Sequence, residues 1–317
     1  MGKHIVRWSP SRTIAGALTW VRDRVASSRK LALAAGLACT LAAASTAFAS
    51  TSGLFYSDFH LKGVQDAGDN GTGVTPGSVN CPSSHPTATG GGAEIRGDQS
   101  GLDLELKSSA PSPGSSVDSW DVEANNSSGS PASMDFDAIC AKGKFRTPFA
   151  TDPSVQPGTE SFRTATCPAG TKLAGGGVFS DGGDHATEIG DSAPAGTGAH
   201  PNAWTGTINN GSSQEIAMGV VAVCATQGHY HVERSLRLPV DNNSQAGASV
   251  KCPAGTHVSG GGVHITGLDD ALEVASSAPF DAGNDPNVTP DDGWHGVANN
   301  DGSGGTVLMQ TDAVCKG

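Results

Sequence analysis

Apolar residues fall on alternate positions at Met134, Phe136, Ala138 and Cys140, so these four side chains share one face of a β-strand. Short runs of the same kind recur along the chain, at Phe162 to Thr166, Lys172 to Phe179, Ala203 to Ile208 and Ile216 to Val223. Turn clusters such as Asp181-Gly182-Gly183-Asp184 and Asn209-Asn210-Gly211-Ser212 separate them. Helical periodicity is hard to find beyond the first 49 residues, and 44 glycines and 18 prolines are incompatible with continuous helix. The pattern predicts an antiparallel all-β fold.

The runs are organised by a threefold repeat. The first copy has Cys81-Pro82, Gly90-Gly91-Gly92, Ser109-Ala110-Pro111, Trp120, Asn125-Asn126 and Cys140. The second has Cys167-Pro168, Gly175-Gly176-Gly177, Ser192-Ala193-Pro194, Trp204, Asn209-Asn210 and Cys224. The third has Cys252-Pro253, Gly260-Gly261-Gly262, Ser277-Ala278-Pro279, Trp294, Asn299-Asn300 and Cys315. Six landmarks in one order, with a fixed Trp-to-Asn spacing, divide the chain into a leader (1–49) and three copies, 50–142, 143–226 and 227–317.

An aromatic residue that opens another strand follows two of the closing cysteines: Phe145 after Cys140 and Tyr230 after Cys224. Phe55-Tyr56 precedes the first copy, and the sequence continues only two residues beyond Cys315. We therefore expect the first strand to complete the last copy and remove an exposed edge, giving three antiparallel sheets around a pseudo-threefold axis. Three small β-sandwiches in a row are the alternative. The Cys-Pro-x-Gly, triple-glycine, Trp and closing-Cys order resembles repeats in exported actinobacterial proteins, mostly of unassigned function. The resemblance covers nearly all of 50–317, although Cys81-Pro82-Ser83-Ser84-His85 departs from the Cys-Pro-Ala-Gly-Thr of the other copies. The threefold plan is also similar, more distantly, to the β-prism of vitelline membrane outer layer proteins. Neither resemblance brings a ligand or a site residue with it.

Arg29-Lys30, the apolar run Leu31 to Ala44 and Ala47-Phe48-Ala49 read as a secretory signal cleaved before Ser50, with Sec export expected. The region ahead of the apolar run is long, and a true start nearer Val25 is expected. Residues 1–49 hold 7 of the 19 basic and 1 of the 31 acidic residues, so the remainder has a net charge near −18. Such a surface repels phosphate backbones and anionic lipid heads, which argues against nucleic-acid and membrane partners. Loss of Cys39 with the leader leaves two cysteines per copy. Pairing is expected within copies (Cys81–Cys140, Cys167–Cys224, Cys252–Cys315), with between-copy pairs such as Cys140–Cys167 as the alternative. Each such loop restricts the unfolded chain by about 4 kcal/mol in the chain-entropy account.

Trp120, Trp204 and Trp294 could be stacking platforms for sugar rings, with Asn125, Asn209 and Asn299 bonding to hydroxyls; alternatively each Trp fills a core against its disulfide. The Asn-Asn pairs are expected at hairpin turns, where Asn tolerates left-handed backbone. The triple glycines lack the Lys-Ser/Thr and the helix of a phosphate loop, and read as points of close backbone approach or bulges. Gly190-Asp191-Ser192 belongs to the repeat, which argues against a nucleophile. His229-Tyr230-His231 and the acidic loops Asp181–Asp184, Asp269-Asp270 and Asp291-Asp292 match no metal motif. No catalytic set, metal or cofactor is expected. The leading expectation is a non-enzymatic, extracellular protein that recognises glycan or cell-envelope material. A purely structural protein is the alternative, and a hydrolase the weakest reading.

Overall fold

The computed structural model describes residues 48–49, 54–64, 74–96, 102–112, 117–127, 132–266, 272–283, 289–302 and 305–317. These belong to one unit spanning Ser45–Gly317. The reading of the leader, apart from Phe48–Ala49, and the Asp269-Asp270 loop lie outside the described residues. β1 (Phe48–Ala49) lies at the end of the leader, and the first copy contains β2 (Leu54–Val64), β3 (Val74–Asn80), β4 (Thr87–Arg96), β5 (Leu104–Pro111), β6 (Ser119–Asn126) and β7 (Ala132–Ala141). The second contains β8 (Phe145–Arg146), β9 (Phe149–Val155), β10 (Thr159–Thr166), β11 (Lys172–Asp181), β12 (Thr187–Pro194), β13 (Ala203–Asn210) and β14 (Ile216–Ala225). The third contains β15 (Tyr230–Arg234), β16 (Leu238–Val240), β17 (Ser244–Lys251), β18 (His257–Thr266), β19 (Leu272–Phe280), β20 (Gly293–Asn300) and β21 (Val307–Lys316). The fold is all-β among the described residues, and the four runs read in the second copy fall within β10, β11, β13 and β14.

No sheet belongs to one copy alone. The order β1-β2-β7-β4-β19-β20-β17 joins copies 1 and 3. The order β3-β6-β5-β11-β14-β8, with β9 also on β14, joins copies 1 and 2, and β10-β13-β12-β18-β21-β15, with β16 also on β21, joins copies 2 and 3. Each copy thus splits into two halves that lie in different sheets. The three seams are equivalent antiparallel pairings: Ser277 opposite Ala93, Ser109 opposite Val178, and Ser192 opposite Val263.

One expectation is corrected here. The first strand does not complete the last copy: β2 pairs with β7 of its own copy, with Phe55 opposite Cys140. The strands that follow Cys140 and Cys224 likewise belong to the copy that comes next, on β14 and β21. Copies 1 and 3 meet instead through β4 and β19, deep in a shared sheet.

The cysteines pair within copies, Cys81–Cys140, Cys167–Cys224 and Cys252–Cys315. The first member of each pair follows β3, β10 or β17, and the second lies in β7, β14 or β21, so every disulfide ties together two different sheets. Three such bonds fit an oxidising, extracellular environment.

The triple glycines sit where the sheets crowd. A bulge precedes the first glycine of each triplet. A Cβ on Gly90 would come within 2.6 Å of Gly260 Cα, and one on Gly260 within 2.9 Å of Gly175 Cα, so the first glycines of all three copies meet. A Cβ on the third glycine (Gly92, Gly177 or Gly262) would strike the carbonyl of Ser277, Ser109 or Ser192 across a seam. Only a residue without a side chain allows either approach.

Candidate functional site

The middle glycine of each triplet explains the tryptophan. A Cβ on Gly91, Gly176 or Gly261 would strike the indole of Trp120, Trp204 or Trp294 of the same copy. Each indole Nε1 donates to the serine of its Ser-Ala-Pro: Trp120 to Ser109 Oγ at 3.1 Å, Trp204 to Ser192 Oγ at 3.1 Å, and Trp294 to Ser277 Oγ at 2.9 Å. The three rings are 2 %, 0 % and 0 % exposed, and Trp294 shares its apolar cluster with Cys315 and Cys252. A stacking platform needs a solvent-facing ring, and none of the three has one. Ser192 is buried as this acceptor and is not poised as a nucleophile.

The asparagines correct a second expectation. Asn125, Asn209 and Asn299 are strand residues, buried to 0 %, 2 % and 0 % exposure, and their backbone is not left-handed. Their side chains run from copy to copy in a cycle. Asn125 Nδ2 donates to Thr187 O at 2.9 Å, Asn209 Nδ2 to Leu272 O at 2.9 Å, and Asn299 Nδ2 to Leu104 O at 3.5 Å and Leu102 O at 3.4 Å. The second asparagine works within its own copy. Asn210 Nδ2 binds Val155 O and Gln214 O, and Asn300 Nδ2 binds Val240 O and Gly305 O.

Directly across the strand pair from each first asparagine stands a glutamate: Glu105 opposite Asn125, Glu188 opposite Asn209, and Glu273 opposite Asn299. Each lies four residues before the serine of Ser-Ala-Pro, a recurrence the six landmarks do not include. Burial pushes the Glu105 carboxyl up to about 9, with Glu273, Asp103 and Asp301 adding to the shift. Burial likewise pushes Glu188 up to about 10, reinforced by Glu273, Glu105 and Asp301, and Glu273 up to about 7.

The chain matches no protein-family model, and no curated protein matches it.

Where the three seams differ, the second-to-third seam carries ionisable side chains. The residue before the Ser-Ala-Pro serine accepts a backbone N–H in all three: Ser108 Oγ from Ser180, Ser276 Oγ from Ile95, and Asp191 Oδ2 from Ile265 at 3.1 Å. Asp191 Oδ2 is also 2.5 Å from His264 Nδ1, at a position occupied by Phe179 and Glu94 in the other seams. Asp312, where copies 1 and 2 have Asp137 and Val221, pairs with Arg234 Nε at 3.3 Å. Burial raises Asp191 although its bond to His264 pulls the other way, while that same bond raises His264. Both side chains thus hold their protons more tightly than free ones do. Burial pushes Asp312 up to about 7 against the opposing pull of Arg234. Asp191 Oδ1 and Asp312 Oδ1 are buried without a hydrogen-bond partner among the described residues.

The other candidates do not assemble. His231 Nε2 is 3.5 Å from Glu233 Oε1, and no group of three His, Cys, Asp or Glu side chains could hold a metal among the described residues. Asp184 Oδ1 accepts from Ala186 N, and Asp292 Oδ2 accepts from Ala282 N, as loop-closing acceptors. A hollow of about 80 Å³ is lined by His200, Tyr230 and His231 with no carboxylate, and a broader groove of about 500 Å³ runs along Lys144, Phe145 and Arg146. Neither is lined by the candidate tryptophans or asparagines.

Proposed function

We propose that this chain is an exported, non-enzymatic structural protein, a closed β-prism with a pseudo-threefold axis whose role is to persist outside the cell. The observation that carries the proposal is the internal use of every repeated polar landmark. The tryptophans, their serines and the asparagines all bond to other parts of the body rather than facing solvent. The resemblance to exported actinobacterial repeat proteins and the acidic, cysteine-paired composition support export through the leader. The test is proteolysis with and without reductant. The oxidised protein should survive a broad-specificity protease at 37 °C for hours, and the reduced protein should be cut many times faster; equal lability in both states rejects the proposal.

A second reading, surface recognition of glycan or cell-envelope material, is favoured by one observation: the unrepeated Asp191–His264 pair, with His264 37 % exposed. Recognition centred there predicts loss of retention on cell-wall material in Asp191→Ser/His264→Phe, with the three tryptophans left intact.

A further inference from the structure

The buried glutamates at the asparagine cycle pose a problem of charge. Glu105 and Glu273 are buried and Glu188 is half-buried, one from each copy, in strands β5, β12 and β19. The charges that bear on them are other carboxylates: each other, Asp103 beside β5 and Asp301 beyond β20. Across the neighbouring strands the facing groups are Asn125 on β6, Asn209 on β13 with Glu160 on β10, and Asn299 on β20 with Gln245 on β17. Lys107, the closest cation along β5, is held by Glu123 at 3.2 Å. A buried carboxylate group without a counter-charge is among the costliest arrangements a protein can adopt.

The surrounding oxygens repeat the problem. Glu188 and Glu273 each bear on the other's protonation, and two ionised carboxylates have only acceptors to offer each other. Asn125 Oδ1, Asn209 Oδ1 and Glu273 Oε2 are buried with no donor facing them among the described residues. Both asparagines spend their N–H groups on the next copy's backbone, so their amide oxygens are left beside the glutamates. Asn299 Oδ1 alone is served, by Gln245 Nε2 at 2.8 Å. Apart from Gln245 Nε2, no donor among the described residues serves these acceptors. A proton on a carboxyl group supplies what is missing, since a neutral carboxylic acid donates.

We propose that Glu105, Glu188 and Glu273 form a proton-held clasp across the three copies, in which carboxylic hydrogens bridge carboxyl to carboxylate and carboxyl to asparagine oxygen, and that alkaline pH opens it. Every bridge joins residues of different copies or reinforces an asparagine that does. A clasp of this kind is closed in acid and at neutrality. Its contribution is complete below about pH 4.5, the ordinary glutamate value, and is lost stepwise as pH rises through about 7, 9 and 10.

The test compares the oxidised parent with Glu105→Gln/Glu188→Gln/Glu273→Gln, whose amides can donate at the same places but cannot titrate. Melting temperature should fall between pH 5 and pH 9 by at least about 5 °C more in the parent than in the variant. If the triple variant does not fold, Glu188→Gln alone should remove part of the excess fall. Infrared spectra of the parent at pH 7 should contain a carboxylic-acid C=O band that survives in D₂O and disappears by pH 11. Equal pH profiles in parent and variant, or absence of that band, overturn the clasp. So does a rise in the parent's melting temperature on adding calcium at pH 9 that the variant lacks, because the carboxylates would then hold a cation in place of protons.

Discussion

In every copy the same indole donates to the same serine over the same glycine, whereas one residue back along that strand the seams part company: Ser108 with Phe179 and Val221 in one, Asp191 with His264 and Asp312 in another. Both regions are buried, and both use a residue of the Ser-Ala-Pro strand. The tryptophan box is floored by the main chain of a glycine and has a serine at the ring edge, so any change of size is resisted by main chain that cannot retreat. The seam meets its partner through one backbone N–H, which a hydroxyl or a carboxylate can accept equally well. Repetition is enforced where geometry has one solution and relaxed where chemistry has several.

This contrast can be broken most forcefully at the box. Trp204→Ala removes a fully buried ring and its donor, and should destabilise by about 3–5 kcal/mol in denaturant titration. Trp120→Ala and Trp294→Ala should cost the same to within about 1 kcal/mol, and a large spread among the three would show that the boxes are not equivalent. Next in size, replacing Cys167 and Cys224 with alanine should cost about 2–5 kcal/mol, read as a lowered unfolding midpoint, because the covalent tie between two sheets is then lost.

At the seam, Asp191→Ala strands His264 and the Ile265 N–H and should cost about 1–3 kcal/mol. Asp191→Ser/His264→Phe gives this seam two of the three residue types of the first-to-second seam and should remain within about 1 kcal/mol of the parent. The pH dependence sharpens the difference. Asp191, Asp312 and His264 all hold their protons more tightly folded than unfolded. The carboxyl contributions are therefore complete below about pH 4 and that of the imidazole below about pH 6.5, and all are lost as pH rises, Asp312's by about pH 7. Unfolding curves at pH 4 and pH 8 should show a greater loss in the parent than in the double variant. The smallest effect belongs to Thr187, a buried residue whose Oγ1 has no partner among the described residues and whose counterparts are Leu104 and Leu272. Thr187→Val should be neutral or stabilising by up to about 1 kcal/mol, and calorimetry would resolve a change of that size.

The box could be read in the sequence because all its parts are strict: Gly-Gly-Gly, Ser-Ala-Pro and Trp have no substitutes at their positions. The all-β class followed from alternation, which survives where one face is more exposed, as in β7 and β17. It fails in β12, buried at seven of its eight positions. That strand carries Glu188 and Asp191, so the acidic cluster and the unusual seam were hidden together. The glutamates do recur at a fixed offset, and that recurrence was the available signal. A lone charged residue in a Ser- and Gly-rich stretch otherwise reads as solvated. The assignment of the first strand erred for a different reason. An aromatic run between two copies can serve either neighbour, and sequence adjacency does not say which closing strand it lies on. The tryptophans' exposure was likewise undetermined, since an indole suits a wet platform and a dry core alike.

Because β19 pairs with β4 as β5 pairs with β11 and β12 with β18, the covalent joints between copies and the sheets that unite them are independent of one another. Copy 1 is linked to copy 2 through the short segment Lys142 to Lys144, yet it is bonded as fully to copy 3, with which it has no direct peptide connection. Strand pairing joins copy 1 to copy 2, copy 2 to copy 3 and copy 3 to copy 1, whatever the order of the copies along the polypeptide. A circular permutant that begins at Gly228 and joins Gly317 to Leu54 by a linker would need no new sheet, no new disulfide and no new seam.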